Sequence, residues 1–487
     1  MKLSPMKTNS PRAIHPEASG RALRRDENLR PDAEKRVLLI SYWYPPNMEM
    51  GSRTCEQIAR YLPLSGWHPL VLTIREELIA ERYRSRSPRT GQTAAHTVIR
   101  TGRLPHPLGL YRWFKSPAAD LRTAVEAAGS SAEREKGKLR ELLLAGLSIP
   151  DIYTGWLLPA IVAGWRAIRQ EQVQALISSG PCWTNHLVAY GLSLLTGLPW
   201  IAHFRDPWAT GFMPGAYRFK PEIGVNRWLE RATLARASRV VCVTEEHTAL
   251  LRRTWPELPA EKFETVLNGY DGADWQGQQL SPAHPGRSGK FRITYAGSLY
   301  LSRNPLPVLR ALRQLIEAGE VRREHVEFNL IGWCETSQGQ NIADLIAATG
   351  LQDCVNLTGP LAHTVTLRHL AQADLLLLLA EGLEIQIPGK TFEYLRAGRP
   401  ILALTSEGAV SRLIERTHSG WAVEPADESG ILRALRECYQ QWMTGAPSRV
   451  PDPAMVAGYD RRITTSQLGK ILDELTAQPA LQTALST

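Results

Sequence analysis

Lys390 and Glu393 stand three residues apart, directly behind the turn signal Pro388-Gly389. The segment reads IPGKTFEYLRAGRPIL over residues 387–402. Thr391 can cap a helix, Phe392 and Leu395 mark its apolar face, and Ala397-Gly398 ends it. Arg399-Pro400 then leads into the apolar run 401–404, a buried strand. A short helix that starts after a Pro-Gly turn and carries a lysine is a site for an anion, because its first N–H groups are unpaired and its dipole points positive there. A glutamate one turn in can accept hydrogen bonds from a vicinal diol such as a ribose. Lysine, free N–H groups and glutamate on one turn therefore suit a nucleoside diphosphate. The alternative is an ordinary turn between helix and strand with a solvated Lys and Glu.

Two further groups sit at the ends of apolar runs. Arg205-Asp206-Pro207-Trp208 closes the run 199–204. Open α/β sheets place ligands at such strand ends. Asp206 can orient a hydroxyl or take its proton, or else cap the following loop through backbone N–H groups. His203 shares the pleat face of Arg205 and reads as a packed histidine. Gly297-Ser298 follows the run 292–296, and Arg303 follows five residues after Ser298. A guanidinium there can hold phosphate oxygens as a fork, or be a solvated residue near a helix start.

The elements that must position these groups read as two βαβ series. Residues 37–40 are a buried parallel strand, and Ser52 is the expected N-cap of a helix over 53–64, stopped at Gly66. The second strand is expected over 69–74, a helix over 151–169, a strand over 175–178, a helix over 184–195 and a strand over 239–243 that enters a helix at Thr244. Asn268-Gly269 is a turn whatever surrounds it. The loop after the first strand lacks GxGxxG, which argues against NAD or FAD. Residues 272–290 are rich in Gly, Gln, Ser and Pro and read as a linker. The second series follows with strands at 326–331, 355–358 and 374–380, a strand at 420–423, and helices at 429–439 and about 459–477.

These segments, in this order, resemble the family 4 glycosyltransferases of the GT-B fold over about residues 36–475. PGKTFEYLRAGRP is similar to the family's PGK-x-x-E-Y-x-x-A-G-x-P segment, YPP with Gly51 to its YPP–x–GG opening, and Gly297-Ser298-Leu299 to its Gly-Arg-Leu. The resemblance implies two Rossmann-like domains facing across a cleft: 36–271 for the acceptor and 291–457 for the donor. Residues 458–487 would cross back onto the first domain. It puts Lys390 and Arg303 on phosphate and Glu393 on ribose, with Gly51, Gly297, Ser298, Pro388, Gly389 and Thr391 around the donor. Arg205 and Asp206 fall on the acceptor side, and Asp206, Arg303 and Lys390 become the catalytic candidates. The family's usual arginine is Ser298 here. Its second glutamate, eight positions before Glu393, is Ile385, with Glu381 and Glu384 nearby; Glu384 is the donor-side candidate.

The implied reaction is transfer of a sugar from a nucleotide-sugar donor to a hydroxyl of a lipid-linked or cell-surface glycan. It would retain configuration and use no metal and no cofactor. A non-catalytic GT-B binding protein and a GT-B sugar-nucleotide epimerase are the alternatives.

Composition bounds the rest. The chain has 487 residues and a net charge of +9, from 57 basic and 48 acidic residues, so anionic partners are expected. Six scattered cysteines without a CxxC pair read as reduced core residues of a cytoplasmic protein. No run approaches the length of a membrane span and no signal-peptide core opens the chain. Residues 1–35 read as a disordered basic tail. Residues 75–150 form an insertion, within which nine bases fall between 81 and 122, interleaved with Leu108, Tyr111, Trp113 and Phe114. That pattern suits a membrane interface or a nucleic-acid groove; peripheral contact with the inner membrane is the reading favoured here.

Overall fold

The computed structural model describes residues 34–47, 50–83, 96–105, 149–211, 220–278, 289–300, 302–445 and 449–477. Most of the basic and aromatic stretch 81–122, the tail 1–33 and the middle of the linker lie outside the described residues, so the expectations placed on them are not addressed by it.

The first half is a parallel sheet. It uses β1 (Lys35–Ile40), β2 (Trp67–Ile74), β3 (Thr97–Thr101), β4 (Ala175–Gly180), β5 (Trp200–Phe204), β6 (Arg239–Cys242) and β7 (Phe263–Thr265), in the order β3-β2-β1-β4-β5-β6-β7. The helices between them are α1 (Met50–Tyr61), α2 (Leu157–Gln170), α3 (Thr184–Thr196), α4 (Lys220–Arg236) and α5 (Glu245–Thr254). The apolar runs make strands because both faces are covered. Leu38 and Ile40 enter the layer with Trp156, Trp200 and Phe204, while Val37 and Leu39 enter the opposite layer with Cys55 and Ile58.

The second half repeats the scheme. Its sheet contains β8 (Phe291–Ala296), β9 (Val326–Ile331), β12 (Val355–Gly359), β13 (Leu375–Leu379), β14 (Ile401–Leu404) and β15 (Gly420–Val423), ordered β12-β9-β8-β13-β14-β15. A small ribbon, β10 (Thr336–Ser337) with β11 (Gln340–Asn341), sits outside it. Helices α6 (Leu306–Glu317), α7 (Ile342–Thr349), α8 (His363–Gln372), α9 (Lys390–Ala397), α10 (Ala409–Arg416) and α11 (Glu428–Thr444) cover both faces. All five residues of β13 are leucine and all are buried, which is what a central strand covered on two sides demands.

In each sheet the strand order reverses beside the first strand, between β1 and β4 and between β8 and β13. The crevice beyond the carboxyl ends of the strands at such a reversal is where α/β sheets bind ligands. Gly51, Arg205 and Asp206 follow β1 and β5; Gly297 follows β8, and the loop to Lys390 follows β13.

After α11 the chain passes α12 (Pro453–Ala457) and returns through α13 (Arg461–Ala477). The return is pinned where Tyr270 N–H donates to Tyr459 O at 3.0 Å and Arg461 N–H donates to Tyr270 O at 2.9 Å. α13 buries Leu468, Ile471 and Leu472 against Val37, Leu39 and Ile58 of the first half. Asp473 accepts from Trp67 Nε1 at 2.9 Å and pairs with Lys35 at 2.9 Å.

Several sequence expectations need correction. α1 begins at Met50, so Ser52 is buried inside its first turn rather than capping it. β1 starts at Lys35, two residues before the apolar run. β3 lies in the stretch 75–150, which gave no readable signal, because a half-buried edge strand of five residues carries little apolar pattern. α4 was not anticipated; its hydrophobic residues do not mark one clear face. Gly272–Trp275 is a 3-10 turn capped by Asp271, which accepts from Ala273 N–H at 3.0 Å, so the linker starts later than its composition suggests.

Because Leu472 is fully buried between α13 and the first sheet, Leu472→Ala should destabilise the protein by about 2–5 kcal/mol. A urea titration checks this; an unchanged midpoint would mean that α13 contributes no core.

Candidate functional site

Lys390 opens α9, and its backbone carries it toward the end of β8. Gly389, not Thr391, is the N-cap; Thr391 is buried and its N–H donates to Pro388 O at 2.9 Å. The Lys390 ammonium is buried without a hydrogen-bond partner and lies 4.3 Å from the centre of the Tyr295 ring. Burial, reinforced by the neighbouring Arg303 charge, pushes the amine down to about 7. Gly297 makes room for it. Its φ is +142°, and a Cβ there would collide with the Lys390 Nζ. Tyr295 OH donates to Ser298 O at 2.9 Å, which holds the turn between the two. Ser298 thus contributes its backbone carbonyl to the turn. Arg303 stacks on Tyr300 at 4.0 Å.

Glu393 is one turn along α9, and it faces the other half of the molecule. It pairs with Arg53 of α1 at 3.3 Å, and His363 Nε2 of α8 is 3.6 Å away. Arg53 also pairs with Asp274. The candidate ribose ligand is therefore engaged by a cation of the first half. Glu384 is exposed and lines a different groove, of about 370 Å³, with Glu245, Glu246, Glu407 and Arg412. Ile385, in the register of the family's second glutamate, packs toward Gly211, and its carbonyl accepts from Thr244 Oγ1 at 2.6 Å.

The first-half wall is built on β4 and β5. Arg205 Nε donates to Ser179 Oγ at 3.1 Å, and its guanidinium also donates to Pro181 O. Its far side rests on Gly51: a Cβ on that glycine would lie 2.7 Å from Nη1. A side chain at position 51 would thus displace the Arg205 guanidinium. His203 is buried, meets Ser179 Oγ at 3.1 Å and is pushed down to about 3 by burial and by Arg205, so it stays neutral. Asp206 accepts from Gln386 Nε2 at 2.7 Å across the seam. Burial raises its carboxyl above the ordinary range, with Arg205 and Gln386 opposing.

The structure brings together Lys390, Gly297, Ser298 and Arg303 on one side and Gly51, Arg205 and Asp206 on the other. It adds Arg53, His363, Gln386 and Arg461, which the sequence reading did not single out. Arg53 had a weak signal, two residues beyond Gly51 on a helix start; the others had none, because their contacts join residues far apart in the chain. Among the described residues, no three His, Cys, Asp or Glu side chains come together as a metal-binding set, and no helix is long and apolar enough to cross a membrane.

Comparison with known proteins agrees with this architecture. Residues 51–269 match the family model of the glycosyl transferase 4-like domain, and residues 290–441 match that of the glycosyl transferases group 1. The chain belongs to the group 1, family 4 glycosyltransferases, and its fold is GT-B. Alpha-maltose-1-phosphate synthase of Mycolicibacterium smegmatis is 30% identical over 109 residues, 21% of this chain; the match spans only 25% of that relative's length. Among solved structures, sucrose-phosphate synthase from Thermosynechococcus elongatus superposes with a TM-score of 0.58 at 15% identity, covering 91% of this chain and 99% of that one. The Anabaena protein HepE, in complex with UDP and glucose, gives 0.56 at 15% identity, covering 90% and 100%. At these identities the two structures speak to the fold alone.

An anion bound beside Lys390 would restore its proton. Nucleoside diphosphate binding at about pH 8 should therefore take up close to one proton, and affinity should rise as pH falls from about 9 to about 7. Calorimetry in buffers of different ionisation enthalpy measures the uptake. Equal uptake in Lys390→Met would assign it elsewhere.

Proposed function

We propose that the protein transfers a glycosyl group from a nucleotide-sugar donor to a hydroxyl of a lipid-linked or cell-surface glycan, with retention and without a divalent metal. The observation that carries this reading is the buried, unpartnered ammonium of Lys390 beside Gly297 and Arg303. An uncompensated cation at a helix start, in the crevice of a GT-B half, is matched by a diphosphate. HepE, a structural neighbour, has been solved with UDP and glucose, which supports a nucleotide-sugar donor.

In this reading the bond between the sugar C1 and the β-phosphate oxygen breaks while the acceptor oxygen bonds to C1 on the same face, which keeps the configuration. Charge collects on the departing nucleoside diphosphate. Lys390, Arg303 and the first N–H groups of α9 stabilise it, the work a divalent cation does elsewhere. Glu393 exchanges its Arg53 partner for the ribose hydroxyls. Asp206 orients the acceptor hydroxyl and takes its proton, and its raised carboxyl suits that task. The basic and aromatic stretch 81–122 would bring the protein to the cytoplasmic face of the membrane that carries a polyprenyl-linked acceptor.

A thermal-shift screen against UDP, GDP, ADP and CMP and their sugar conjugates tests the donor class. A ligand at about 100 times its Kd should stabilise by about 2.7 kcal/mol. Lys390→Ala should abolish that shift and lower turnover by about 10²–10³-fold. A folded protein whose melt responds to none of these ligands, or a variant with near wild-type turnover, would overturn the assignment.

A further inference from the structure

The helices on one side of the first sheet turn an apolar face outward. α3 contains no acid, lysine or arginine, and its histidine, His186, is buried. Before its last residue, the positions of α3 that are not buried are Leu187, Tyr190, Gly191, Leu194 and Leu195, at i, i+3, i+4, i+7 and i+8. A surface helix ordinarily presents polar residues along that line. Here the line is apolar, with Leu194 59% and Leu195 61% exposed.

α2 and α4 extend the face. Leu158, Val162 and Trp165 follow at i, i+4 and i+7 along α2, and Val225 and Trp228 stand three residues apart on α4. All five are exposed, Trp228 at 66%. The three helices form one layer. Ile161 of α2 fills the notch at Gly191 of α3, where a Cβ would lie 2.8 Å from its Cδ1. Arg236 of α4 donates to Ser193 O of α3 at 2.7 Å. All three send their buried sides into the same core layer. A single exposed leucine is ordinary; a connected apolar patch over three helices marks a contact surface.

The charges beside the patch select its partner. Arg166, Arg169, Arg227 and Arg231 are exposed on these helices. α2 and α3 contain no acid; on α4, Glu230 is buried and Glu222 is half-buried. Arg231 pairs with Glu257 at 3.0 Å, and the Arg169 guanidinium lies 5.2 Å from the centre of the Trp165 ring. Leucines flanked by tryptophans and arginines suit the boundary of an anionic bilayer. The leucines enter the acyl region, while the indoles and guanidinium groups stay among the headgroups. A second copy of the chain is a poorer match, because a two-fold contact would set the same arginines against one another with Glu222 as the one acid on these helices to meet them.

We propose that the outer face of α2, α3 and α4 docks on a bilayer containing anionic phospholipid. The proposal goes beyond the stretch 81–122, since it assigns the contact to the helix layer itself, and it does not depend on the donor reading. The cleft opens at the strand ends, whereas this face lies over one side of the sheet, so docking leaves the cleft uncovered.

Flotation of the full chain with vesicles tests this, comparing phosphatidylcholine alone with phosphatidylcholine and phosphatidylglycerol in equal parts. The mixed vesicles should carry the protein far better than the neutral ones, and added salt should weaken the binding. The double variant Leu194→Gln, Leu195→Gln should lower the partition by about tenfold or more. Arg166→Gln and Arg169→Gln should each lower it by about fivefold. All should keep the wild-type melt, because these side chains are exposed. Leu357→Gln, which removes an exposed apolar side chain from the second half, should leave the partition unchanged. A wild-type protein that ignores the mixed vesicles overturns the proposal, and so does binding that none of the face variants weakens. If sedimentation shows a dimer that the double leucine variant splits while vesicle binding is unaltered, the face joins two copies and the proposal fails.

Discussion

A buried amine without a partner is the constraint around which the second half of the molecule is arranged. Lys390 must reach the end of β8, so Gly297 can carry no side chain. Gly332, with φ +120°, packs against the Gly297 backbone, which holds the ends of β8 and β9 close together. Tyr394 OH accepts from Ala296 N–H at 2.8 Å and ties α9 to the same strand end. A buried amine in this setting gives up its proton easily, and burial lowers it to about 7. The ends of β8 and β9 and the first turns of α9 thus meet around one amine.

The two halves meet through contacts of uneven strength. Gln386 to Asp206 and Thr244 to Ile385 are short bonds in a part-buried seam. Arg412 to Glu246 and Arg416 to Glu245 are exposed pairs, and pairs of that kind contribute roughly 0–1 kcal/mol each. Arg53 to Glu393 lies between these extremes and competes directly with the ribose contact proposed for Glu393. The return crossing at Tyr270 and Tyr459 is the firmer connection, because it is made by the backbone and followed by the buried face of α13.

Much of this was legible in the chain. The continuous apolar runs of β1, β5, β13 and β14 specify buried parallel strands, and Pro388-Gly389 marks the start of α9 because a turn signal precedes its apolar period there. The edges were less legible. β3 is half-exposed and short, and the first turn of α1 packs its Gly51 on Arg205, a contact across more than a hundred residues that no local pattern announces.

By itself the sequence determined which segments must be buried, the order of the two βαβ series, and the identity of the lysine and glutamate on α9, since these depend on local pattern and short spacing. Only the tertiary structure decided which groups oppose one another. Arg53 reaches Glu393 across 340 residues, and Arg461 comes back to bond Gly269 and Asn268 only because α13 recrosses the first sheet. The lowered pKa of Lys390 also belongs to that level, for desolvation is a property of everything packed around a charge and leaves no mark on the residues adjacent to it in the chain.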